Sequence, residues 1–598
     1  MRKAKWIFVG YLALVVLIVA GIAISFSAAP PRNPQALTLP ILDSIRTLDP
    51  AEVNDDIGHP LVGSLYEGLY NYKYGVKPYT MFPDLASQMP QISPDGLVWT
   101  IKLRKGIHFY DPTKKVFSDG IGPEVKAADV AYSFKRVGDF NLASPNYSWF
   151  DGLFVGLDKW WEYTKNTPKN KVDFDRPVEG FEVVDDYTIR FHLMRPDPQF
   201  IFLLAHDPTM IVCRRAVEYW GDSFRQHPVG TGAYALVQNL PDQRMVFEEN
   251  PIYRGKSDID GTTPLAKDDP SREPHIKRVE YQYFAETLPV WWLLKQGYFD
   301  LIADIPKDAF RQAIKNGELA PELTKLGLRR IPVTETATDY ISFNMADPVL
   351  GKNKPLRQAM SMAFDRTKYV NDFWMGVGQP ATSVIPPTLP TYDASEKNPY
   401  TGLNLLAAQA LMEQAKRIQG GPIPPLKLLM RGADTTSRQM GEFMATQMAR
   451  IGVTLEPEYR DWARWQEMTD NRQTQVFDSG WVADYPDEQD FYQLFYSKNI
   501  PNAGVNSFVY SNPAFDALYE KAMVMQDSPE RRELYKQMNR MLNEDCPGIW
   551  VYYRMQNVLV YDWVQEYSWM DYGYAWRQHL TLDQAMRTKA FASGVFRH

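Results

Sequence analysis

Four carboxylates crowd one short stretch of this sequence: Asp484, Asp487, Glu488 and Asp490. Such a cluster suggests either a calcium loop or a pair of hydrolytic acids. A helix–loop–helix calcium site places acids at alternate positions and turns on a glycine, and this stretch does not. Two hydrolytic carboxyls must face each other across a scissile bond, a separation that spacing along the chain cannot set. Most of these acids therefore read as a solvated loop, with Asp484 the exception because of the residues around it. Gly230-Thr231-Gly232 followed by Ala235 spells a dinucleotide fingerprint in letters. Its context is wrong, because His227-Pro228 precedes it and the strand-like Tyr234–Val237 follows, where the fingerprint needs a strand and then a helix. It reads as a tight turn entering a strand. The eight histidines show no metal-ligand spacing. No nucleophile elbow, phosphate loop or zinc-protease motif occurs. The residues that could do chemistry thus point to a protein that is not an enzyme, with no catalytic group, cofactor or metal site.

The elements that must position these residues mix helix and strand along the whole chain. Leu97–Leu103 and Thr188–Leu193 alternate apolar and polar residues as strands do. Between them Val130, Phe134 and Val137 form one helical stripe. Pro355 suits the first turn of a helix whose face carries Leu356, Ala359, Met360, Ala363 and Phe364. Met440, Phe443, Met444, Met448 and Ile451 form another stripe, ended by Gly452 before the strand-like Val453–Leu455, the order of an α/β unit. Ser528-Pro529 opens a late helix that Cys546-Pro547-Gly548 closes, ahead of a strand at Ile549–Tyr553. The fold class is α/β.

Arg2, Lys3 and Lys5 precede an apolar run from Ile7 to Ile24. Eighteen residues at helical rise span roughly 27 Å, close to the hydrocarbon thickness of a bilayer. The basic start keeps that end cytoplasmic, so the rest of the chain is translocated. The run exceeds the apolar core of about 7–15 residues usual in a cleavable signal, and Pro30 directly after Ala28 and Ala29 disfavours cutting. Residues 1–34 are expected to be either an uncleaved membrane anchor through residues 7–24, the favoured reading, or a cleaved signal peptide. Either way the body lies in the periplasm or on the extracytoplasmic face of the inner membrane. Ile201–Cys213 is broken by His206, Asp207 and Pro208, so it reads as core and not as a second span. The remaining body is longer than one hydrophobic core usually serves, and two or more lobes are expected. A net charge of −7 argues against a nucleic-acid partner. Cys213 and Cys546 show no paired spacing and read as free buried thiols.

Several segments carry a family resemblance. They are Thr47-Leu48-Asp49-Pro50, Leu65-Tyr66-Glu67-Gly68-Leu69, Phe117-Ser118-Asp119-Gly120 and the run Ala128 to Arg136. Further on come Pro228 to Tyr234, Leu356-Arg357-Gln358-Ala359, Ala363-Phe364-Asp365-Arg366 and the run Gly480 to Asp487. In number and order these resemble the family 5 extracellular solute-binding proteins, the oligopeptide- and dipeptide-binding components of bacterial ABC importers. The resemblance covers essentially everything after the leader. Asp111–Val116 and Lys256–Pro274 are extra stretches, read as enlarged surface loops.

The resemblance implies a two-lobed periplasmic-binding-protein-like fold of class II, with an extra subdomain in the N-terminal lobe. Residues 35–61, 181–302 and 548–598 would form the first lobe, 62–180 the extra subdomain, and 303–547 the second lobe. A peptide or peptide-like solute would be buried between the closing lobes of a monomer. It would then pass to an inner-membrane permease driven by cytoplasmic ATPases. Asp484, within Trp481-Val482-Ala483-Asp484-Tyr485, occupies the position that accepts a peptide's N-terminal ammonium in this family. Trp481 helps line the cleft there, and Tyr485 adjoins it. Tyr340 and Asn344, in the strand-like Asp339–Met345, lie in a segment that often faces the cleft. Relatives also take nickel chelates, haem, opines or oligosaccharides, and the same fold can serve as a peptide sensor, so those alternatives stay open.

Overall fold

A computed structural model of the chain describes residues 32–255, 273–315, 317–500 and 504–596. The apolar segment 7–24 and most of the insertion 256–274 lie outside them. Among the described residues, no helix is long and apolar enough to cross a membrane.

The alternating segments become strands of a four-stranded sheet in which Val98–Lys102 lies between Gln91–Ile92 and Thr188–His192, with Phe181–Asp185 beyond. Two of those strands fall after residue 180. The stripe of Val130, Phe134 and Val137 belongs to the helix Ala127–Val137, started by the Asp129 carboxylate accepting from the Lys126 N–H at 2.8 Å. Phe134 sits among Phe150, Phe154, Phe181 and Phe191, with ring centroids 4.7 to 6.0 Å apart. Edge-to-face and tilted aromatic packing of this kind adds to plain area burial.

A second four-stranded sheet joins Leu37–Ile41, Arg278–Tyr283, Arg244–Glu249 and Tyr234–Leu240. The glycine turn enters its edge strand as expected. A Cβ on Gly232 would lie 2.5 Å from the Leu65 carbonyl carbon and 2.6 Å from the Ser64 oxygen. Two backbones meet there so closely that only glycine fits.

The largest sheet is built on two long strands, Leu328–Phe343 and Gly548–Tyr561, paired antiparallel. Val476–Val482 adds on the other side of the first, followed by Leu426–Arg431 and Leu455–Arg460. Between those last two parallel strands runs the helix Thr435–Ala449, the βαβ crossover that the methionine stripe implied. Gly452 has a φ of +77°, and the strand starts at Leu455, two residues later than its apolar pattern indicates. Side chains alternate faces along the long strands. Ile341, Phe343, Ile549 and Val551 enter one core with Leu356, Met444 and Met448, whereas Tyr340, Trp550 and Tyr553 enter the other.

The pairing of the long strands breaks twice, once between Asp339 and Tyr340, where Val551 is the extra residue, and more widely just before it. Thr334 pairs with Met555 and Thr338 with Tyr553, so Glu335, Thr336 and Ala337 all lie opposite the single residue Arg554. Extra residues on one strand bend it and sharpen its twist, and such bulges re-aim side chains.

The extra stretch Asp111–Val116 is less of a surface loop than its letters suggest. Its tip is exposed, but Asp111 is fully buried and accepts from the N–H groups of Thr113 at 2.9 Å, Val116 at 2.8 Å and Phe117 at 3.2 Å. Those turn donors would otherwise be unsatisfied. Cys213 and Cys546 are both free and buried.

Candidate ligand-binding site

Beyond Val482 the strand Val476–Val482 makes one more contact with its neighbour, Ala483 N–H donating to the Thr336 carbonyl at 2.8 Å. The chain then turns, and a buried aspartate fixes that turn. Oδ2 of Asp490 accepts from the Trp481 indole N–H at 2.8 Å and from the Asp484 N–H at 3.1 Å, while its Oδ1 accepts from the Gln493 amide at 2.8 Å. Asp487 accepts from both Nη atoms of Arg531, at 2.6 and 3.1 Å, and from the Tyr535 hydroxyl at 2.9 Å. Glu488 accepts from the Thr391 N–H at 2.7 Å. Three of the four clustered acids are thus buried and hold the turn in shape, a correction to the solvated-loop expectation. The donors to Asp487 and Glu488 come from segments remote in sequence, which spacing cannot reveal.

The remaining acid, Asp484, lines a cavity of about 1220 Å³. Among the described residues it forms no ion pair within 4.0 Å. Burial pushes its carboxyl up to about 6, against a smaller opposing pull from His59. His59 and His206 line the same cavity, and Tyr574 stacks on His59 with centroids 5.0 Å apart and planes at 14°. The His59 ring contacts the fully buried Asp207 carboxylate. Burial alone would lower the His59 pKa, but Asp207, with Asp56 and Asp55, outweighs it and raises the group above its ordinary value. For His206 burial wins instead: Asp207 pulls upward, but desolvation, with a smaller push from His59, drops it to about 4. The interruption of the apolar run at His206-Asp207 was the one sequence sign of this corner. The cavity also has an aromatic lining, from Tyr567, Trp569, Tyr574 and Trp576. The close spacing of those rings between residues 567 and 576 was its only sign in the sequence.

The other expected residues are placed variously. Trp481 and Tyr485 flank the cavity-lining Val482, Ala483 and Asp484 without lining the cavity themselves. Tyr485 stacks on Phe202, centroids 5.8 Å apart, and meets Trp149 edge-on. Tyr340 is core, packed against Phe508 and Trp550. Asn344 is buried, and its amide donates to the Thr474 carbonyl at 2.8 Å, closing a loop. The turn thus brings Asp484, Trp481 and Tyr485 together and leaves Tyr340 and Asn344 elsewhere. Among the described residues no group of three or more His, Cys, Asp or Glu side chains is placed to hold a metal ion.

A large cavity partly lined by aromatics, with a half-buried carboxylate at its edge and an α/β frame around it, is the build of a solute-binding protein. Comparison with known proteins gives the family. The chain belongs to the bacterial extracellular solute-binding proteins, family 5, whose middle region matches residues 80–503. It is similar to the glutathione-binding protein GsiB of Escherichia coli O6:K15:H31, with 24% identity over 540 residues, 89% of this chain and 92% of that one. Its fold is similar to that of HbpA2 from Haemophilus parasuis, with a TM-score of 0.74 and 23% identity, covering 92% of this chain and all of the other. It is also similar to that of the ABC transporter-associated periplasmic binding protein DppA from Helicobacter pylori in complex with the peptide STSA. There the TM-score is 0.67 and the identity 22%, over 92% of this chain and 98% of that one. Family 5 proteins are the solute-binding components of ABC importers and work outside the cytoplasm, and the relatives are binding proteins, not enzymes.

Proposed function

We propose that this chain captures peptides or peptide-like solutes in the cavity, between two lobes that close on them, and delivers them to an inner-membrane permease. The first lobe is assigned residues 35–61, 181–302 and 548–598, the extra subdomain 62–180, and the second lobe 303–547. In that assignment the long strand Leu328–Phe343 belongs to the second lobe and its partner Gly548–Tyr561 to the first, and their pairing is interrupted by the bulge at Glu335–Ala337. Residues 7–24 anchor the protein at the outer face of the inner membrane.

The observation that carries this reading is the carboxylate of Asp484, held at the cavity wall by the Asp490 turn and forming no ion pair among the described residues. A buried charge needs an opposite charge, and a peptide's ammonium supplies one. Backbone groups then hold the peptide without reading its sequence, as in strand addition. A relative named for binding glutathione, which carries an amine, and a similar fold holding a peptide both support this. The aromatic wall favours a second reading in which the same cavity stacks a flat non-peptide solute.

Mass spectrometry of solute released on denaturing the purified protein tests the choice. Short peptides are expected; a sugar or chelate without an amine would overturn the Asp484 assignment. Affinity should also depend on pH in a defined direction. The ammonium needs the carboxylate form of Asp484, which is lost as pH falls through about 6. Affinity for a free-amine peptide should therefore fall about tenfold between pH 7 and pH 5. Protonation of His59 acts in the same sense by repelling the amine. A flat profile over that range, read by calorimetry, would count against the ammonium role.

A further inference from the structure

Glu335 lies in the bulge of the long strand, and its half-buried carboxylate lines two chambers at once. One is the main cavity, and the other is a chamber of about 390 Å³. Asp304, Lys307, Arg554 and Gln556 also line both, so the chambers share this wall. The rest of the smaller chamber is largely apolar, from Phe310, Trp374, Met375, Tyr552 and Met555.

The cations near Glu335 are committed elsewhere. Arg554 grips Asp339 through Nε and through an Nη at 3.3 Å. Arg431 reaches Asp339 at 2.6 Å and Asp478 at 3.2 Å. Two arginines and two aspartates cancel, which leaves Glu335 without an ion-pair partner among the described residues; its hydrogen-bonding neighbour is Gln556. Lys307 lies over the Trp374 ring, 4.8 Å from its centroid, with Asp304 nearby. Asp571 faces Glu335 from the C-terminal segment and adds negative field. The main cavity as a whole is lined by six carboxylates (Asp56, Asp304, Asp308, Glu335, Asp484 and Asp571) against Lys307, Arg554 and Arg577. Of those cations, Arg577 is turned to the Pro60 carbonyl at 3.0 Å.

We propose that Glu335 accepts a second cationic group of the ligand, so that the solutes preferred are peptides bearing a basic side chain, its alkyl stem lying along the apolar chamber. This rests on the peptide reading above and adds the substrate class. A lysine or arginine side chain suits such a place, burying its methylenes on aromatic and methionine surface while its head meets a carboxylate. Burial, with Asp571 and Asp339 adding to it and Arg554 opposing, holds the Glu335 carboxyl up at about 7. A cation arriving there favours the carboxylate, so binding near neutral pH expels a proton that a neutral side chain would leave in place.

The test uses calorimetry with Lys-Ala-Ala, Ala-Lys-Ala and Ala-Ala-Lys against their glutamine counterparts, in buffers of different ionisation heat at pH 6.5. At least one lysine peptide should bind about tenfold or more tighter than its counterpart and release more protons. Glu335→Gln should erase both differences. No lysine preference in the wild type, or a preference that survives Glu335→Gln, overturns the proposal. If Glu335→Gln does not fold, as read by its melting curve, the proton count of wild-type protein decides alone. If none of the six peptides binds, the peptide reading has failed. Spermidine then probes the second-cation site by itself: binding lost in Glu335→Gln supports it, and no binding overturns it.

Discussion

Asp484→Ala is expected to weaken binding of a free-amine peptide by about 2–5 kcal/mol while changing binding of its N-acetylated form much less. The size follows from what closure does. It strips water from the ammonium, and the loss is made good only if an opposite charge waits at the right place. Here the place is prepared: one oxygen of Asp490 fixes both the Asp484 backbone and the Trp481 ring, so little ordering remains when the ligand arrives. Removing the carboxylate leaves a buried cation unpaired, the costliest kind of electrostatic deletion. The same change should not weaken the empty protein. Burial holds the carboxyl of Asp484 above its unfolded-state value, so ionising it opposes folding as pH rises from the unfolded value toward about 6, and that penalty persists above it. Melting curves at pH 7.5 should thus show an empty variant at least as stable as wild type. Equal losses for the free and acetylated peptides would sink the ammonium role.

The sequence exposed more of the fold than of the site, for a physical reason. Helices and strands announce themselves through local periodicity, and Ala127–Val137, Thr435–Ala449 and Pro529–Asp545 all appear where their apolar stripes and caps stand. The late helix even begins at its sequence signal, with the Ser528 hydroxyl accepting from the Arg531 N–H at 3.1 Å. A cavity is assembled from segments distant in the chain, so its wall leaves no period. Asp484 was legible only because a compact motif carries it. Tyr340 shows the limit of reading a segment without its faces: alternation sends it into the core with Trp550. On the same strand the cavity-facing residues are Glu335 and Thr336, delivered by a three-against-one bulge that no alternation pattern anticipates. The paired acids beneath Asp484 were misread for a related cause. Arg531, which neutralises Asp487, lies more than forty positions away.

That pair sets the second large expectation. Arg531→Leu should destabilise the protein by about 3–5 kcal/mol, because it leaves the Asp487 carboxylate buried with only the Tyr535 hydroxyl and the Gln489 N–H as donors. Arg531 and Asp487 are both almost wholly enclosed, so neither water nor salt relieves the orphaned charge. The cost is one of isolation and not of the pair's absence. Asp487→Asn combined with Arg531→Leu should therefore recover part of the loss, since no unpaired charge remains. The site should feel the change as well. Asp487 belongs to the turn between Asp484 and Asp490, and loosening it raises the ordering cost of presenting the Asp484 carboxylate. Amine-peptide affinity in Arg531→Leu should accordingly fall, but less than in Asp484→Ala, whose loss removes the charge itself. Urea unfolding and calorimetry on the single and double variants read both quantities. A single variant within about 1 kcal/mol of wild type, or a double variant as unstable as the two singles summed, would show that the pair does not anchor the turn.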